Sequence, residues 1–206
     1  MTPRERLATA RLYLVCPALP RDWIAAAIRG GVDLIQLRDK TLDDDGLVEA
    51  SRAFVGHDDA LFILNDRPDL VEACGADGVH VGQDDSSPAS ARAAVGPDRI
   101  VGRSTHAPDQ AAAADADEDV DYLAVGPVHE TPTKPGRPAA GLHYVAHAAS
   151  TVGKPWFAIG GLDAGNVHEV IERRATRIVV VRAITEAADP EAAARALKEA
   201  LTAVRA

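Results

Sequence analysis

The stretch Asp33-Leu34-Ile35-Gln36-Leu37-Arg38-Asp39-Lys40 decides how this chain is read. Its first half is apolar and too short for a helix, while its second half carries an amide and two cations at alternate positions. Residues two apart share a face of an extended strand, so Gln36, Arg38 and Lys40 project together and Leu37 and Asp39 lie opposite. The segment reads as a buried strand running out of the core into a polar end. Similar runs recur at Leu12–Val15, Leu61–Leu64, Gly78–Val81, Ile100–Gly102, Tyr122–Val125, Trp156–Ile159 and Arg177–Val181. Alanine-rich stretches with helical spacing separate them, among them Trp23–Arg29, Leu47–Val55, Ala89–Val95, Asp109–Ala116, Val167–Arg173 and Pro190–Val204. Eight strand–helix pairs in 206 residues average about 26 residues each, close to the ~30 of a βαβ unit. The pattern predicts one domain over residues 1–206, a compact (β/α)8 TIM barrel; an open doubly wound sheet is the alternative.

Glycines punctuate the same plan, with Gly30-Gly31, Gly75, Gly96-Pro97 and Gly153 placed where helices should stop. Asp66-Arg67-Pro68 is expected to open a third helix over Pro68–Cys74, and the fifth strand, around Arg99–Gly102, is the shortest. A chain that is 47% hydrophobic and 26% charged can bury a core without disulfides, and its two cysteines, Cys16 and Cys74, form no framework. They are expected to pack as small apolar residues. The net charge of −9 disfavours nonspecific binding to nucleic acid or anionic membranes, which needs a positive field. No apolar run spans a bilayer, and the opening MTPRERLATA lacks the apolar centre of a signal peptide, so a cytoplasmic location is expected. The oligomeric state is left open, a homodimer being one arrangement.

In such barrels the active site forms at the C-terminal strand ends, so the polar residues there are the first candidates. Gln36, Arg38 and Lys40 suit a polyanion such as a diphosphate, arginine offering a planar fork and lysine a point charge. Asp66 and Asp85 follow strands three and four, and neighbouring strands lie about 4.8 Å apart, close enough for two carboxylates to share a hard cation. Mg²⁺ takes one or two carboxylates plus phosphate oxygens and waters, which matches a diphosphate beside Arg38 and Lys40. Each aspartate alone also suits a helix N-cap. Thr131, Pro132, Thr133 and Lys134 belong to a proline- and glycine-rich loop with hydroxyls and a cation, in the style of an anion-binding loop. Gly160-Gly161 and Val181-Arg182, after strands seven and eight, occupy the usual phosphate position of these barrels. Two separate anion sites in one barrel describe a transferase with two phosphorylated substrates.

QLRDK at 36–40, ND at 65–66, DGVHVGQDD at 77–85, GRSTH at 102–106, GPVHETPTKPG at 126–136, AIGGL at 158–162 and VVVRAI at 179–184 resemble the thiamine phosphate synthase family. The likeness covers almost the whole chain, in order. It implies a (β/α)8 barrel that joins 4-amino-2-methyl-5-hydroxymethylpyrimidine diphosphate to a thiazole phosphate and releases diphosphate with Mg²⁺. By the same resemblance, Gln36, Leu37, Arg38, Asp39, Lys40, Asn65, Ser104 and Lys134 would contact the pyrimidine diphosphate. Asp66 and Asp85 would hold Mg²⁺. Thr131, Pro132, Thr133, Gly161, Val181 and Arg182 would contact the thiazole phosphate, and Arg38, Lys40, Ser104 and Lys134 would carry the chemistry. Arg182 departs from the family's usual serine, and the segment from Thr41 to Phe62 is short. A related thiazole tautomerase places a histidine where this chain has Pro127, and lacks the TPTKPG loop. Two further rivals are a phosphate-handling isomerase or aldolase, which would need a base or Schiff-base lysine, and a ligand sensor without catalysis. His80 and His106 lie near strand ends, whereas His129 is expected to be solvated and Tyr13 to pack below the mouth.

Overall fold

Every expected apolar run forms a strand. The computed structural model describes residues 1–130 and 138–203. The strands are β1 (Leu12–Cys16), β2 (Leu34–Leu37), β3 (Leu61–Asn65), β4 (Gly78–Val81), β5 (Ile100–Thr105), β6 (Tyr122–Val125), β7 (Trp156–Ile159) and β8 (Ile178–Val180). Each pairs in parallel with the next, and β8 pairs with β1, closing the barrel. The helices are α1 (Pro3–Thr9), α2 (Arg21–Arg29), α3 (Asp44–Ser51), α4 (Pro88–Val95), α5 (Pro108–Ala116), α6 (Gly141–Thr151), α7 (Val167–Glu172), α8 (Arg182–Thr185) and α9 (Pro190–Thr202).

Two expectations change. The helix predicted over Pro68–Cys74 is a single 3-10 turn, Pro68–Leu70, because only a short connection separates β3 from β4 and regular helix has no room to propagate. The fifth strand is longer than the apolar run suggests, so Ser104 and Thr105 lie on β5 rather than after it. Their hydroxyls are buried yet partnered, Thr105 donating to the Ala124 carbonyl at 3.0 Å, which lets polar residues extend a buried strand.

Alternation along each strand builds two apolar layers. Leu12, Leu14 and Cys16 of β1 face the helices, together with Ile35 and Leu37 of β2. Tyr13, Val15, Leu34, Leu61, Ile63, Ile100, Tyr122, Phe157 and Val179 fill the barrel interior. Burying each of these large side chains fully contributes about 1.5–3 kcal/mol. Helix α1, absent from the sequence-based plan, closes the floor by inserting Leu7 into the interior layer, with Ala10 beside it. Its N-terminus carries a capping box, in which Thr2 accepts from the Glu5 N–H and Glu5 accepts from the Thr2 N–H.

The floor is also clasped by a repeated aspartate. Asp33, Asp77 and Asp121 each stand immediately before an even-numbered strand. Each backbone N–H donates to a carbonyl of the preceding strand, at Leu12, Phe62 and Val101, and each carboxylate accepts the N–H of that same residue. Two of the three carboxylates also meet cations, Asp33 with Lys198 and Asp121 with both Arg92 (2.6 Å) and Arg4 (2.7 Å).

Candidate active site

The opposite rim is built differently. On β2 the alternation holds: Gln36 is buried inside the barrel, Arg38 and Lys40 line the mouth, and Leu37 faces the helices. Asp39 turns into its own loop, accepting from the Thr41 hydroxyl at 2.6 Å, the Thr41 N–H at 3.0 Å and the Ala18 N–H at 3.3 Å. Those bonds, led by the Thr41 hydroxyl, hold its carboxyl below the usual carboxylate range. Its side chain therefore organises the turn that presents Arg38 and Lys40. Among the described residues neither of those cations has an ion-pair partner, so both charges remain available to a ligand.

Asp66 stands at the end of β3 with a positive φ of 60°, a backbone conformation uncommon outside glycine and seen at functional sites. Its carboxylate accepts from the Asn65 amide at 2.6 Å. Burial raises its pKa, and the facing Asp85 carboxylate raises it further, against the pull of Asn65 and Lys40. Asp85 is fixed by the β4 loop, where it accepts from the Gly82 N–H at 2.9 Å. Arg103, which the sequence did not single out, reaches from β5 to donate to the Gly82 and Ser86 carbonyls and so ties down that loop. Two facing carboxylates with unused lone pairs and, among the described residues, no buried cation between them fit a divalent ion held by one or two carboxylates plus ligand oxygens. No group of three or more histidine, cysteine or acidic residues suited to a metal occurs among the described residues.

The mouth has two lobes. The first, of about 380 Å³, is lined by Gln36, Arg38, Lys40, Asn65, Asp66, His80, Gln83 and Asp85. The second, of about 270 Å³, is lined by Pro127, Gly160, Gly161, Asp163, Arg182 and Glu186. Ser104, His106, Ala124, Ile159, Val179 and Val181 line both, so the lobes meet over β5 to β8. Gly160 and Gly161 have φ values of 112° and 65°, and a Cβ on Gly160 would lie 2.6 Å from Pro127. Only glycine lets the backbone turn there and approach a ligand. Arg182 begins α8, is exposed, and edges the second lobe opposite no described partner. Val181 borders the first lobe as well as the second. Thr131, Pro132, Thr133 and Lys134 lie outside the described residues.

Beneath the first lobe runs a buried polar chain that the sequence reading did not assemble. Gln36 Nε2 donates to the Tyr13 hydroxyl, Tyr13 and Tyr122 share a hydrogen bond of 2.9 Å, and Tyr122 meets His80 Nδ1 at 3.0 Å. His80 Nε2 meets Ser104 Oγ at 2.9 Å. Burial pushes both phenols above their usual pKa. The alternation Tyr122-Leu123-Ala124 on β6 was the available signal, since it points Tyr122 and Ala124 inward together. His106 hydrogen-bonds through Nδ1 to the Gly126 carbonyl at 2.6 Å. His129, expected in solvent, is half-buried, with Nε2 at 3.5 Å from Glu169.

Comparison with known proteins agrees with this geometry. Residues 12–184 match the family model described as thiamine monophosphate synthase. The chain is 54% identical over 202 residues to a protein of Thermus thermophilus named thiamine-phosphate synthase, covering 93% of this chain and 97% of that one. It is 49% identical to a protein of the same name from Thermobifida fusca, covering 100% of this chain and 98% of the other. Among solved structures, thiamine phosphate pyrophosphorylase from Pyrococcus furiosus superposes with a TM-score of 0.85 at 28% identity, over 98% of this chain and 99% of that one.

Proposed function

The chain belongs to the thiamine monophosphate synthase family, and from that premise we propose that it transfers a pyrimidinylmethyl group from the pyrimidine diphosphate to a thiazole phosphate. It is a transferase of thiamine phosphate formation. The observation that carries the reading is the two-lobed mouth. One lobe holds Arg38, Lys40 and the Asp66–Asp85 pair, the other is edged by Gly160, Gly161 and Arg182, and the two join at Ser104 and His106. Two joined lobes suit two reactants held side by side.

In this proposal the diphosphate lies against Arg38 and Lys40, and its bond to the exocyclic CH₂ breaks with the electron pair leaving on oxygen. The 4-amino group releases electrons into the ring and stabilises the cation that remains. The thiazole nitrogen then supplies the lone pair that forms the new C–N bond, and diphosphate departs. Asp66 and Asp85 would hold Mg²⁺, which when bound supplies positive charge to the departing diphosphate. Arg38 and Lys40 add fixed charge that needs no reorganisation. Ser104 and His106, at the junction, orient the two reactants, and positioning alone can contribute several kcal/mol. Gly160 and Gly161 let backbone N–H groups approach the thiazole phosphate, and Arg182 adds a guanidinium where a hydroxyl is usual in the resemblance. No protein nucleophile is required.

The test combines the purified protein with Mg²⁺ and both substrates and follows thiamine phosphate and diphosphate. Equimolar appearance of both products supports the reading. Isomerised thiazole phosphate without joining would replace it with a tautomerase, and a covalent pyrimidine–protein adduct would overturn the dissociative course.

A further inference from the structure

The buried chain from Gln36 to Ser104 can carry one hydrogen-bond sense throughout. Gln36 Nε2 donates to the Tyr13 oxygen, and in one of the two senses open to the Tyr13–Tyr122 bond Tyr13 passes its own proton to Tyr122. Tyr122 then has its own proton to give to His80 Nδ1. In that sense an imidazole that accepts at Nδ1 carries its proton on Nε2 and would donate it to Ser104 Oγ. Ser104 Oγ would then accept from His80, which leaves its O–H for the cavity it lines. At the other end, the Gln36 amide has committed an N–H inward, and its carbonyl oxygen is left for a ligand. All five side chains are at most 8% exposed, so bulk water does not scramble the order. Gly102 makes room for the middle of the chain, since a Cβ there would lie 2.1 Å from the Tyr122 ring.

We propose that Tyr13, Tyr122 and His80 are positioning residues that set Gln36 as an acceptor and Ser104 as a donor toward the pyrimidine. The proposal rests on the function argued above and deepens it. An aminopyrimidine offers N–H donors on its amino group and lone pairs on its ring nitrogens, the complement of an acceptor and a donor held apart in one lobe. A heterocycle with a carbonyl in place of the amino group would meet the Gln36 carbonyl with a lone pair and be rejected. None of the three residues needs to touch substrate. They act by giving Ser104 and Gln36 one hydrogen-bond sense instead of two, which removes the competing orientation before the substrate arrives.

Nitrogen-15 NMR of the full chain at neutral pH tests the direction, with the His80 signals identified by their loss in His80→Asn. The Nε2–H tautomer is expected; the Nδ1–H tautomer or an imidazolium would overturn the assignment. Kinetics test the consequence. Tyr122→Phe removes one oxygen and cuts the chain, so KM for the pyrimidine diphosphate should rise by about tenfold to a hundredfold with KM for the thiazole phosphate unchanged. An unchanged pyrimidine KM, or an equal rise in both, would overturn the positioning role. Tyr13→Phe cuts the same chain one bond away and should reproduce the effect, and the double variant should be no worse than either single one; additive losses would count against a single chain. An inactive wild-type protein would overturn the reading of the reaction, while the imidazole measurement, which needs no substrate, would still decide the polarity.

Discussion

The two ends of the barrel use the same side chain for opposite purposes. At the floor, Asp33, Asp77 and Asp121 each accept a strand N–H, and two of them also meet cations. At the rim, Asp66 and Asp85 face each other, and burial together with Asp85 lifts the Asp66 pKa. A carboxylate enclosed by donors is satisfied within the fold and stabilises it. A carboxylate facing another carboxylate is left with acceptor capacity and unfavourable charge, which a bound cation relieves. Partner geometry, not residue type, separates an aspartate satisfied within the fold from one left able to take a ligand.

Breaking the rim should cost activity and spare stability. Asp85→Ala is expected to lower Mg²⁺-dependent kcat on the order of a thousandfold, with the thermal midpoint unchanged or slightly raised, since Asp66 loses a repelling neighbour. Steady-state kinetics alongside a thermal melt would check both halves; near-normal turnover would remove Asp85 from the proposed metal site.

Breaking the floor should do the reverse. Asp121→Ala strips the Val101 N–H, Arg92 and Arg4 of a common acceptor whose side chain is only 12% exposed. A loss of about 2–4 kcal/mol in urea unfolding is expected, with kcat held near wild type at temperatures where the protein stays folded. A stability change within 0.5 kcal/mol, the range of an ordinary surface substitution, would count against the clasp.

The smallest effect belongs at the edge of the second lobe. Arg182 is exposed and without a described partner, so Arg182→Ser should leave the melt unchanged and raise KM for the thiazole phosphate by about two- to fivefold. An unchanged KM would make Arg182 a bystander on the rim.

Much of the fold was legible because burial writes itself into local pattern. Each of the eight apolar runs is a strand, and the alternation in Gln36-Leu37-Arg38-Asp39-Lys40 placed Gln36, Arg38 and Lys40 on the mouth side. Helix α1 was not legible, since Leu7 is its one fully buried side chain and a single apolar residue shows no periodicity. The helix expected over Pro68–Cys74 failed for the opposite reason, because capping signals promise a start but not the length to continue. Asp33, Asp77 and Asp121 are evenly spaced and stand before β2, β4 and β6, a signal present in the sequence whose meaning appears only once the strands are paired. His80 could be placed near a strand end, yet its partners Tyr122 and Ser104 lie 42 and 24 residues away.

By itself, then, the sequence determined which segments are strands, which side of the second strand lines the mouth, and at which end the polar residues gather. Those follow from periodicity and composition over a few neighbouring residues. Only the tertiary structure decided that two lobes share Ser104 and His106, and that Gln36 and Ser104 are joined through Tyr13, Tyr122 and His80. These contacts exist because β8 closes on β1, bringing side chains distant in the chain within hydrogen-bond range inside one small interior.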